Sequence, residues 1–121
     1  MKLKIFKVCF MIILPALFTV KVVGQTSSPK PDPEVEKHAA ITLKWMKADL
    51  KLDSNQAKKV YAINVEMDTK AKEARLKYGV DSKDFKKELG KFDDERDNKF
   101  TEVLTPDQMY KYLQDKSRHP R

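Results

Sequence analysis

An all-α fold follows from three features of the chain. Apolar residues beyond position 33 recur at intervals of three and four, and no stretch alternates with the period of two that a half-buried strand requires. Two segments open with the spacing of a helix capping box, Asp53 to Gln56 and Thr105 to Gln108. Three glycines and six prolines in 121 residues are too few for the many tight turns of a sandwich or barrel. At roughly 100–200 residues per domain, the length allows one small domain.

The first segment, residues 1–24, has the profile of a signal peptide. Lys2, Lys4 and Lys7 precede an uncharged run over residues 8–20 (VCFMIILPALFTV), and Val22 and Gly24 supply small residues ahead of a cut after Gly24. As a helix the run would reach about 20 Å, short of the ~30 Å hydrocarbon core, which disfavours a membrane anchor. The formal charge of +7 shrinks with its removal: 25 Lys and Arg become 21 against 18 Asp and Glu, a net of +3. Cys9, the one cysteine, leaves with it, so the exported chain is no disulfide scaffold.

Residues 25–32 (QTSSPKPD) are small, polar and proline-rich, a flexible leader. A helical domain then spans residues 33–116. Its first helix has Asp32 as N-cap and Pro33 in the first turn, where a missing N–H costs nothing. Val35, Ala39, Leu43, Met46 and Leu50 form its apolar stripe, with Ile41 and Trp45 to one side. Trp45 reads as a packing residue rather than a ligand platform.

The second helix opens at Asp53 and runs to Tyr78, ending at Gly79, a natural left-handed stop. It carries two stripes. Val60, Ile63, Met67, Ala71, Ala74 and Tyr78 form a packing face, whereas Lys58, Tyr61, Val65, Thr69, Lys72 and Leu76 mix apolar side chains with lysines, the profile of a surface covered part of the time. From the latter, Lys58, Tyr61, Val65, Lys72 and Leu76 are candidate binding residues.

The third helix starts near Asp81 or Ser82 and buries Phe85, Leu89, Phe92, Arg96, Phe100 and Val103. Gly90 in its middle marks a bend or a close approach. Arg96 interrupts an aromatic row; it either pairs with a nearby acid, snorkels, or meets an acidic binding partner, and so joins the candidate binding set. A short fourth helix runs from Pro106 to about Lys116 with Met109, Tyr112 and Leu113, and residues 117–121 form a frayed tail.

Leu104-Thr105-Pro106-Asp107-Gln108 is a complete helix start. Thr105 caps, Pro106 occupies the first helical position, Asp107 suits the positive end of the helix dipole, and Gln108 reaches back to the Thr105 N–H. Leu104 can staple onto Met109 across the turn. The same grammar appears 52 residues earlier in Leu52-Asp53-Ser54-Asn55-Gln56. Leu52, Asp53, Gln56, Leu104, Thr105 and Gln108 are therefore assigned to structure.

These paired motifs, behind an export signal on a small helical chain, resemble the Spy/CpxP family of periplasmic proteins, marked by a Leu-Thr-x-x-Gln motif usually present twice. The second copy here matches fully; in the first, Asp53 stands for Thr, an equally good N-cap. The resemblance covers about residues 48–114. It implies a periplasmic location and an extended helical hairpin that pairs with a second copy into an intertwined, cradle-shaped homodimer. It further implies that the cradle holds unfolded or partly folded envelope proteins without ATP, with the motif residues maintaining the fold rather than touching the client. A second function is implied as well: docking on an envelope-stress sensor kinase to restrain it, in some relatives with a response to metal.

The residues themselves favour dimerisation too. Two long helices packed together leave the second stripe of helix two uncovered, and a domain this small buries only about 60–65% of its surface on folding. Other classes fit less well. The exported chain has His38 and His119 at opposite ends and serines without a base at useful spacing, so triad and thiol chemistry have no support and no enzyme is expected. Asp93, Asp94, Glu95 and Asp97 lie around a helix, a solvated surface rather than an acid/base pair. No cofactor or metal is expected, since zinc prefers clustered His or Cys. Nucleic acid is excluded as a partner, because interleaved acids leave no concentrated basic face.

Overall fold

The computed structural model describes residues 30–119, and the signal segment, Cys9 and most of the leader lie outside them. Four α-helices make up the described chain: α1 (Pro33–Leu50), α2 (Ser54–Tyr78), α3 (Lys83–Val103) and α4 (Pro106–Asp115), followed by a 3₁₀ turn, Lys116–Arg118. Among the described residues there is no strand, and no helix is long and apolar enough to cross a membrane.

Each helix begins where its cap chemistry dictates. The Asp32 carboxylate accepts from the Glu34 N–H, with Pro33 in the first turn of α1. Ser82 Oγ accepts from the Phe85 N–H to open α3. The Gly79 N–H donates to Arg75 O to close α2, and φ of +83° there makes glycine the natural residue. Lys51 ends α1 at φ +54°, a left-handed position where a side chain costs about 1 kcal/mol.

The 25-residue α2 is the central element, packed along α1 on one side and α3 on the other, while α4 closes one end against α1 and α3. That end holds the principal core: Met46, Leu50, Val60, Phe100, Leu104 and Tyr112, flanked by Leu43, Trp45, Ile63 and Met109. Phe100 meets Tyr112 edge to face at 5.0 Å, and the Tyr112 hydroxyl donates to Asp97 Oδ1 at 2.9 Å. An aromatic this large needs such a partner for its polar tip when buried.

Several expectations change in detail. In the tail, expected to fray, Ser117 and Arg118 are exposed but His119 stacks on Trp45 with ring centroids 4.4 Å apart and lies 3.4 Å from Asp49. The packing face of α2 also buries two polar residues that the stripe did not include, Asn64 and Asp68. Gly90 has open space where a Cβ would sit, so no close approach explains it. Three acids of α3 pair with lysines of other elements, Lys116 reaching Asp97 and Asp93, and Lys70 reaching Glu95.

Candidate functional site

The two motif copies meet in space. In each, the cap oxygen accepts from the backbone N–H of the glutamine, and the glutamine Oε1 accepts in return from the cap N–H. The two side-chain amides then bond to one another, Gln56 Nε2 to Gln108 Oε1 at 2.7 Å and Gln108 Nε2 to Gln56 Oε1 at 3.2 Å. The second hydrogen of each amide goes to the end of another helix: Gln56 donates to Val103 O and Gln108 to Leu50 O, both at 3.1 Å. Every donor and acceptor of both amides is thus used.

Helix ends carry unsatisfied N–H and C=O groups by construction. The clasp satisfies such groups at two helix starts and two helix ends together, directly over the core residues Leu50 and Leu104. Asp53, Gln56, Thr105 and Gln108 make the capping bonds of the clasp, and Leu52 packs against the core that holds Leu104.

The six candidate binding residues fare differently. Lys58 is exposed, Leu76 is 77% exposed, and Tyr61 and Val65 are half-buried along the seam with α1. Lys72 is not a free cation: its ammonium lies 2.8 Å from Asp32 and 3.0 Å from Glu34, tying the start of α1 to α2. The hydrogen bond donated by Lys72 holds both carboxyls below their usual range, and its bond to Asp32 raises Lys72 in turn. Arg96 is only 4% exposed and its Nη2 donates to Asp68 Oδ1 at 2.8 Å, which is the pairing among its three sequence readings.

Asp68 is shared. Its other oxygen lies 2.8 Å from His38 Nδ1, which joins α1, α2 and α3 through one buried carboxylate. Two cavities adjoin it, of about 280 Å³ beside Val35, Ala71 and Phe85 and about 360 Å³ beside Gly90 and Phe92. Among the described residues no group of three or more His, Cys, Asp or Glu could hold a metal ion.

A surface on α1 was not singled out from the sequence. Ala40, Leu43, Lys44, Lys47 and Ala48 line an open groove of about 510 Å³ with Tyr61 of α2. Their spacing is that of a continuous helix face, but a mixture of alanine and lysine reads as solvated until a neighbouring helix walls it in.

No family model, curated protein or solved structure matches this chain.

Proposed function

We propose that the protein is an exported, ATP-independent chaperone of the holdase type, similar to the Spy/CpxP family. In this reading it is periplasmic, forms a cradle-shaped homodimer from extended helical hairpins, and shelters unfolded or partly folded envelope proteins. The observation that carries the reading is the flank of α2 beside α1. Lys58 and Leu76 are exposed and Tyr61 and Val65 are half-exposed on the same face, so apolar contact and positive charge are offered together. Unfolded chains present apolar segments and carboxylates in no fixed order, and a surface of this kind can hold many of them loosely.

The clasp supports the same reading from the other direction. It ties the fold together with neutral hydrogen bonds remote from Leu76, leaving that flank available for contact.

The test is suppression of aggregation of a chemically denatured protein by the purified chain, without nucleotide, with mass by light scattering. Suppression by a dimer is the expected result, weakened in Lys58→Glu with Leu76→Ser while helicity is kept. Absence of suppression, together with saturable one-to-one binding to a sensor-kinase periplasmic domain, would replace the chaperone by the regulator.

A further inference from the structure

Some lysines of the described residues are held in ion pairs, and others, spread over α1, α2 and α3, are not. Lys70, Lys72, Lys99, Lys111 and Lys116 all lie against carboxylates. Lys44, Lys47, Lys51 and Lys58 are exposed and take part in no ion pair among the described residues. Of these, Lys44 and Lys47 line the groove between α1 and α2, Lys58 lies one helical turn before its Tyr61 wall, and helical periodicity places Glu36 as the one carboxylate on that flank of α1. A groove with an apolar floor and one sign of charge at its rim concentrates field and selects its ligand by charge.

The distribution of that charge along the groove limits the ligand further. From Ala40 to Ala48 the floor extends about 12 Å, the length of about four residues of extended chain. An amphiphile with a single anionic head would satisfy one end and leave the other lysines unmatched. A polypeptide with carboxylates on both sides of an apolar side chain matches them all.

Resting on the chaperone reading and deepening it, we propose that this groove takes extended polypeptide segments in which apolar residues are flanked by Asp or Glu. An apolar side chain sits over Leu43 and the Tyr61 ring, where Ala40 and Ala48 keep the walls low, and the flanking carboxylates reach Lys44, Lys47 and Lys58. Segments with lysine in place of those acids are rejected by like charge.

Two fluorescent peptides of about eight residues, identical except that Glu in one is Lys in the other, test this by anisotropy with the whole protein. The acidic peptide is expected to bind at least about tenfold more tightly than its basic twin and to weaken by about tenfold between about 50 and about 500 mM salt. Lys44→Glu with Lys47→Glu should remove this preference, whereas Lys44→Gln with Lys47→Gln should reduce it partly; both pairs are exposed and unpaired, and circular dichroism checks the helices. Equal binding of the two peptides overturns the proposal, as does unchanged affinity in the charge-reversed variant, or binding to anionic vesicles with none to the acidic peptide. Aggregation suppression in the same variants separates the two claims. Suppression that ignores the reversal leaves the chaperone standing without the groove, and groove-dependent peptide binding without suppression leaves the groove without the chaperone.

Discussion

The two halves of α2 are secured by polar networks of opposite character. Near its start, two neutral amides exhaust their hydrogen bonds on one another and on helix ends, above a close-packed core of Met46, Phe100 and Tyr112. About half the helix further along, the buried carboxylate of Asp68 is held between His38 and Arg96, with two cavities beside it and Asn64 nearby in sequence lacking a hydrogen-bonding protein partner for either side-chain polar atom. A satisfied neutral network over an apolar core carries little desolvation cost and does not respond to pH. A buried ion pair must offset the cost of taking both charges out of water, so it holds the helices only while both partners are present.

The strongest way to break that contrast is at the charged network. Arg96→Met should destabilise by about 3–5 kcal/mol, because Asp68 would remain buried beside it with its strongest partner gone, whereas Arg96→Met with Asp68→Leu should recover most of that loss. Urea unfolding of the three proteins measures it, and equal losses in the single and double variants would show that packing rather than charge dominates there.

At the clasp the expected effects are smaller and strongly coupled. Gln108→Ala leaves Leu50 O and the Thr105 N–H without their partner and removes both bonds to Gln56. The cost should be about 1–3 kcal/mol, and adding Gln56→Ala should cost less than it does in the wild type. A double-mutant cycle that returns strict additivity would mean that the two amides act separately.

The smallest effect concerns acid. Asp32 and Glu34 are depressed below their ordinary values of 3.8 and 4.5, chiefly by the hydrogen bond from Lys72. Depressed carboxyls contribute stability that is complete above those ordinary values and is lost as pH falls below them through the folded-state values. The start of α1 should therefore lose hydrogen-exchange protection below about pH 4, before the clasp end does. Simultaneous loss at both ends would argue that the domain opens as one unit.

Much of this was legible from residue spacing, because caps and turns are local. Asp32, Asp53, Ser82, Thr105 and Gly79 act within a few positions of themselves, and their side chains reach backbone groups that the covalent chain has already placed beside them. Arg96 illustrates the opposite case. Its sequence reading left pairing, snorkelling and client contact open, since nothing near it in the chain says that Asp68, 28 residues away, will lie against it. Lys72 looked like a free cation in its stripe for the same reason, its acids being 38 and 40 residues distant.

The amino-acid order alone thus determined the four helices, their starts and stops, and the paired capping boxes, since hydrogen bonds over three or four residues depend only on local geometry. Tertiary packing decided the rest: that the two glutamines would bond across 52 residues, which charges would be neutralised, and that α1 would wall a lysine-rimmed groove beside Tyr61. Those outcomes depend on which helix faces come to lie together, and many arrangements of the same amphipathic helices satisfy the local rules equally well.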